Sequence, residues 1–76
     1  MSKKITVPQL PDMDSATLVA WEKGPGDKVQ AGDVLYEIET DKVVSQIESD
    51  VEGILKQQFF EEGDQVKPGD IIAELD

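Results

Sequence analysis

The sequence predicts an all-β fold, a small antiparallel sandwich with pseudo-twofold symmetry. Apolar residues alternate with polar ones or run in short bursts between turn residues, and no window carries the 3.6-residue period of a helix. The segment GDKVQAGDVLYEIE at 26–39 recurs as GDQVKPGDIIAELD at 63–76, 37 residues further along. Since one copy is too small to bury its apolar face, we expect two copies to pack against each other.

Turn residues divide the chain into eight predicted strands. The turns carry glycine, proline and aspartate, which favour the backbone angles of tight turns. The predicted strands are 4–7, 17–23, 28–30, 34–40, 43–49, 53–60, 65–67 and 71–75. Strict alternation predicts that one face of each copy points to the core. That face carries Val34, Tyr36 and Ile38 in the first copy, and Ile71, Ala73 and Leu75 in the second.

The amino-acid composition argues against several classes of function. The 76 residues include 7 basic and 17 acidic ones, for a net charge of −10, which argues against nucleic-acid or anionic-membrane partners. The chain has no cysteine and no histidine, so it offers no cysteine nucleophile, His/Cys metal site or Ser–His relay. The first residues resemble no secretory signal, and no apolar run reaches membrane-spanning length.

Lys42 stands between the two copies. Strands 34–40 and 43–49 flank Asp41-Lys42, which predicts a tight hairpin with an exposed lysine. A shift by the repeat length relates Lys42 to position 5 or to a position just past the C-terminus. The hairpin should therefore lie opposite the chain ends. An exposed lysine is a poor nucleophile unaided, and on local sequence alone it is most simply a solubilising residue. It is also accessible to a modifying enzyme.

The order of several motifs resembles the lipoyl domain of 2-oxo acid dehydrogenase complexes, in the biotinyl/lipoyl-attachment family, and specifically the dihydrolipoyl acyltransferase component. These motifs are VPQL at 7–10, ATLVAW at 16–21, EIETDKVV at 37–44, EGIL at 52–55 and the second Gly-Asp repeat. Biotin-accepting relatives typically have methionine on both sides of the lysine. Here Asp41 and Val43 occupy those places, which favours lipoate.

The resemblance implies a flattened β-barrel of two four-stranded antiparallel sheets with lipoate bound covalently to Lys42. The lipoyl group would act as a swinging arm. It would be acylated by a thiamine-diphosphate 2-oxo acid dehydrogenase, deliver the acyl group to an acyltransferase core, and be reoxidised by dihydrolipoyl dehydrogenase. A lipoate ligase or lipoyl transferase would attach it. The domain itself would hold no catalytic residue and no metal, and would be catalytic only as part of a dihydrolipoyllysine-residue succinyl- or acetyltransferase.

The same resemblance assigns two recognition segments. The attaching enzyme would read the hairpin residues Glu39, Thr40, Asp41 and Val43, although Glu39 and Asp41 also suit turn geometry and solvation. The loop residues Asp12, Met13, Asp14 and Ser15 would help to select the partner enzyme. Residues 1–76 then form a single carrier domain, excised from a longer chain of the bacterial cytoplasm or the mitochondrial matrix.

Three other functions remain open at this point. The hairpin could carry biotin in a carboxyl carrier domain. The domain could be a lipoyl domain attached to a dihydrolipoyl dehydrogenase, or a β module that only binds other proteins. Within the family, the segments PGDKV at 25–29 and GDVLYEIETDKVV at 32–44 resemble the 2-oxoglutarate branch more than the pyruvate branch.

Overall fold

A computed structural model describes residues 2–76 and contains eight strands in two four-stranded antiparallel sheets. The strands are β1 (Lys3–Thr6), β2 (Ala16–Trp21), β3 (Lys28–Val29), β4 (Val34–Glu39), β5 (Val44–Glu48), β6 (Gly53–Gln58), β7 (Gln65–Val66) and β8 (Ile71–Leu75). All eight predicted strands are confirmed, with ends that differ by at most two residues. Residues 2–76 include no helix long and apolar enough to cross a membrane.

The two sheets are related by the sequence repeat. Their strand orders are β1-β8-β6-β3 and β5-β4-β2-β7. A shift of 37 residues places β2 on β6, β3 on β7 and β4 on β8, so β1 and β5 occupy equivalent edges. The predicted pseudo-twofold sandwich is therefore confirmed.

The core between the sheets is built from symmetry-related pairs. Leu18 and its counterpart Leu55 are 0% and 1% exposed. The other fully buried pairs are Val29 with Val66, Leu35 with Ile72, Tyr36 with Ala73, and Ile38 with Leu75. Each half thus contributes the same apolar positions to one shared core.

The predicted inward faces of β4 and β8 are wrong at their first residues, because each strand contains a β-bulge. Leu35 and Tyr36 are both fully buried, although they are adjacent, and so are Ile72 and Ala73. The pairing of β4 with β5 passes over Leu35, and that of β8 with β1 passes over Ile72. The extra residue breaks the alternation, so Ile71 faces outward and is 41% exposed.

Four tight turns explain the recurring Gly-Asp pairs. In each, the fourth residue donates its backbone N–H to the carbonyl of the first at 3.0 Å, and its aspartate carboxylate accepts the first residue's N–H at 2.7–2.9 Å. The third residue is a glycine with φ between 89° and 99°, as a type II turn requires. The turns are 24–27, 30–33, 61–64 and 67–70. The repeated motif is thus structural.

The β4–β5 hairpin and the chain ends lie at opposite ends of β2. Glu39, the last residue of β4, pairs with Thr17 near the start of β2. The turn that follows β2 hydrogen-bonds to Leu55, which pairs with Leu75, and Leu75 also pairs with Lys3. A six-residue strand spans about 17–20 Å. The hairpin therefore points away from the place where a linker would leave the domain.

Tyr36→Phe is expected to leave the free energy of unfolding unchanged or to raise it by about 1 kcal/mol. The Tyr36 hydroxyl is buried and has no hydrogen-bond partner among the residues that the structure describes, and an unsatisfied polar group in a core costs stability. Urea unfolding at neutral pH measures the change. A loss of more than about 1 kcal/mol would show that the hydroxyl makes a stabilising contact.

The same substitution should also remove a pH dependence. Burial raises the pKa of Tyr36 above its ordinary value of 10.0, so the unfolded chain releases this proton first as the pH rises. Stability of the wild-type domain should therefore fall above about pH 10, and the Phe variant should lack this contribution.

Candidate functional site

The β4–β5 hairpin presents Lys42 at its tip. The backbone N–H of Thr40 donates to the carbonyl of Val43 at 2.9 Å, which leaves Asp41 and Lys42 as the two tip residues. Neither has positive φ, so the turn is not one of the primed types that two-residue hairpins favour. The predicted hairpin is confirmed, with a turn that needs local support.

The Thr40 side chain provides that support. Its Oγ1 lies 3.5 Å from the backbone nitrogen of Lys42 and 3.4 Å from that of Val43, so it is placed to accept from both. A threonine hydroxyl commonly stabilises a turn in this way. Thr40 is half-buried, whereas Glu39 and Asp41 are exposed. Its position favours a structural role in the hairpin.

Lys42 and its neighbours are accessible to a protein partner. Lys42 is exposed, and Val43 and Val44 are 54% and 57% exposed. The ion pairs among residues 2–76 join Lys23 to Asp33 and Lys56 to Asp76, so no carboxylate holds the Lys42 ammonium in place. The tip thus combines a reachable amine with exposed apolar surface.

A groove of about 680 Å³ lies between the hairpin and the loop that precedes β2. Its lining residues are Leu10, Pro11, Asp12, Asp14, Ser15, Thr40, Asp41, Lys42, Val43 and Ser45. The structure therefore places Asp12, Asp14 and Ser15 beside the hairpin residues that the family resemblance assigns to recognition, except for Glu39, which does not line the groove. The remaining predicted loop residue, Met13, is only 4% exposed and packs into the core, so its side chain does not line the groove.

Gln9, which lies outside the predicted set, and Asp12, which lies within it, fix the shape of the groove. The Gln9 amide donates to the carbonyls of Leu10 and Met13 at 3.0 and 2.8 Å. Asp12 adopts a φ of 59°, a left-handed conformation that aspartate tolerates better than most residues. The sequence does not predict the roles of Gln9, Leu10 and Ser45, because they depend on contacts between segments. The only local signal is the adjacent Pro11 and Asp12, which are residue types typical of turns.

The groove presents one primary amine beside three carboxylates. Its titratable side chains are three aspartates and Lys42, with no histidine or cysteine that could activate a nucleophile. Tyr36, whose pKa is raised by burial, lies in the core and does not line the groove. What the site provides is a primary amine that a second enzyme can reach.

Thr40→Val is expected to loosen the hairpin tip without unfolding the domain. Valine keeps the branched shape but removes the acceptor for the N–H groups of Lys42 and Val43, a net effect of about 1 kcal/mol or less. Amide hydrogen exchange should become faster at these two residues and stay unchanged in the core. Thr40→Ser keeps the hydroxyl and is the control. Equal exchange in all three proteins would show that Oγ1 does not support the turn.

Comparisons with known proteins agree with this architecture. Residues 3–75 match the family described as "Biotin-requiring enzyme". The chain is 43% identical to the dihydrolipoyllysine-residue succinyltransferase component of the Escherichia coli 2-oxoglutarate dehydrogenase complex, covering 97% of this chain and 18% of that protein. It is 44% identical to the mitochondrial acetyltransferase component of the Neurospora crassa pyruvate dehydrogenase complex, covering 86% of this chain and 14% of that protein.

A solved structure has the same fold over nearly all of this chain. It is the lipoyl domain of the 2-oxoglutarate dehydrogenase complex from Azotobacter vinelandii, which is 31% identical to this chain with a TM-score of 0.77. The match covers 96% of this chain and 94% of that domain. The chain thus spans most of that lipoyl domain but less than a fifth of the succinyltransferase chains it matches. It belongs to the biotinyl/lipoyl-attachment family and, within it, to the lipoyl domains, which carry lipoate covalently on a lysine.

Proposed function

We propose that Lys42 is the attachment residue and that the domain is the swinging-arm carrier of a dihydrolipoyl acyltransferase in a 2-oxo acid dehydrogenase complex. One observation carries the assignment: Lys42 is the exposed tip residue of a hairpin at the end of the domain opposite the chain termini. A group attached there extends away from the tether. The similarity to acyltransferase components supports the same assignment.

The protein part contributes presentation and recognition. A tethered carrier raises the effective concentration of its cargo at each partner enzyme. When bound, lipoate supplies the dithiolane that accepts acyl groups and reducing equivalents, and the hard chemistry is the cofactor's. Thr40 holds the turn, and the exposed side chains of Glu39, Asp41 and Val43 offer the attaching enzyme a surface beside the amine.

The groove is the proposed site of partner selection. Asp12, Asp14 and Ser15 lie on one side of it and the hairpin on the other, so an enzyme that accepts the arm meets both segments together. Met13 packs into the core and so holds the loop in position beside the groove. The partners are the thiamine-diphosphate dehydrogenase, the acyltransferase core, dihydrolipoyl dehydrogenase, and the lipoate ligase or lipoyl transferase.

The 2-oxoglutarate branch is the preferred assignment. The succinyltransferase components of Escherichia coli, Bacillus subtilis and Cupriavidus necator are 37–43% identical to this chain. Since those chains are more than five times as long as the part matched, the domain belongs in a longer polypeptide. The relatives named above include bacterial proteins and one mitochondrial protein, which supports the bacterial cytoplasm or the mitochondrial matrix as its location.

Reductive acylation of the lipoylated domain tests this function. The thiamine-dependent component of a 2-oxoglutarate dehydrogenase complex should acylate the domain with a higher kcat/KM than its pyruvate counterpart does. A lipoylated peptide spanning 38–46 should be at least about tenfold poorer, the effect of losing about 1.4 kcal/mol of contacts. If the peptide is as good as the domain, recognition does not involve the folded groove. If neither enzyme acylates the domain, the assignment is wrong.

A further inference from the structure

We propose that the outer edge of β5 is a docking strand for an extended, basic segment of the thiamine-dependent dehydrogenase that acylates the arm. The inference rests on the proposed function and adds a binding surface outside the groove. β5 is the last strand of its sheet, and within residues 2–76 only β4 pairs with it. An open strand edge is a template for pairing with another chain.

The other three edge strands are protected and β5 is not. β3 and β7 are only two residues long. β1 carries Lys3 and Lys4, and just beyond it Val7 hydrogen-bonds to the turn before β8. Short length and lysines are the usual protections of a sheet edge. β5 has five residues with no lysine and no proline, so its pairing groups remain available.

The direction of the β5 amides follows from two hydrogen bonds. Val43 accepts from Thr40 at 2.9 Å, and Ser49 donates to Asp33 at 2.8 Å, so the odd-numbered residues face β4. In an antiparallel pair the remaining residues turn their N–H and C=O groups to the other side. Val44, Gln46 and Glu48 therefore point these groups outward, and their side chains are also exposed.

The charge around β5 favours a basic partner. The strands of its sheet carry no lysine, whereas those of the other sheet carry four. Glu37, Glu39 and Glu48 lie on β4 and β5. Attaching lipoate to Lys42 through an amide removes the nearby positive charge. A second copy of this chain on the same edge would bring like charges together, so a basic segment fits better.

The position of β5 suits the acylating enzyme. The strand begins two residues after Lys42, with the exposed side chains of Val43 and Val44 at its start. The reacting end of the arm lies well beyond Nζ, so the enzyme that acylates it can bind along the side of the domain. A segment paired with β5 would run directly past the hairpin tip and hold Lys42, where the arm is attached, in a fixed position.

Gln46→Pro tests the docking strand, with Gln46→Ala as its matched control. Proline removes an N–H that points outward and is tolerated on sheet edges. Both variants lose the contact from the Gln46 amide to Glu37 at 3.1 Å, so they differ mainly in the backbone donor. With the lipoylated domain and the 2-oxoglutarate dehydrogenase component, kcat/KM should fall about tenfold further for proline than for alanine, mainly through KM.

Hydrogen exchange on the wild-type domain gives a second readout that does not depend on a variant. Saturating dehydrogenase should slow exchange at Val44, Gln46 and Glu48. Equal kcat/KM for the two variants, or protection confined to 10–15 and 40–43, would overturn the docking strand and leave the carrier function intact. No acylation of the wild-type domain would overturn both.

Discussion

Lys42→Arg is expected to abolish lipoate attachment and reductive acylation while leaving the fold intact. The guanidinium keeps the positive charge but cannot form the amide by which a lysine carries the group. Among the described residues 2–76 no other lysine sits at an equivalent hairpin, because the symmetry mate of this turn is the place where β1 and β8 meet. Since Lys42 is exposed, the midpoint of thermal unfolding should stay close to wild type.

Lys28→Arg is the control for this prediction. Lys28 is also exposed but lies in β3, in the other sheet from the hairpin. After co-expression with a lipoate ligase, Lys28→Arg should gain the same mass as wild type and Lys42→Arg should gain none. A full increment on Lys42→Arg would move the attachment site to another lysine.

Leu18→Ala and Leu55→Ala should each lower the free energy of unfolding by about 3 kcal/mol. Both leucines are fully buried at equivalent positions in the two sheets, and truncating a core leucine typically costs 2–5 kcal/mol. A chain of this size has a stability of roughly 4–11 kcal/mol. Either variant should therefore lose much of its stability, and the two losses should be similar.

Urea unfolding of both variants measures the loss, with Val19→Ala and Lys56→Ala as controls. These two positions are also related by symmetry and lie on the exposed surface, beside the leucines. The controls should change stability by no more than about 0.5 kcal/mol. A large loss from Leu18→Ala with almost none from Leu55→Ala would contradict a single core shared by the two halves.

The strands and the hairpin could be predicted because local chemistry determines them. Glycine is needed where φ is positive, and aspartate closes each type II turn, so the Gly-Asp pairs mark strand ends. The repeat then indicated how the halves pack and where Lys42 lies. Each of these signals is contained within a few neighbouring residues or in the comparison of the two copies.

The bulges and the groove could not be predicted in the same way. Adjacent burial of Leu35 and Tyr36 depends on how β5 pairs with β4, which alternation in the sequence does not reveal. The burial of Met13 and the contribution of Ser45 depend on the loop before β2 lying beside the hairpin. The bulge thus arises from the pairing of two consecutive strands, and the groove from contacts between segments about 30 residues apart.

Intact mass of the wild-type domain, expressed with lipoate and biotin both supplied and both attaching enzymes present, tests the central claim most directly. A single lipoyl-sized increment that maps to Lys42 by peptide fragmentation is the predicted result. A biotin-sized increment, an increment on another lysine, or no increment would contradict the assignment of Lys42 as the lipoate carrier.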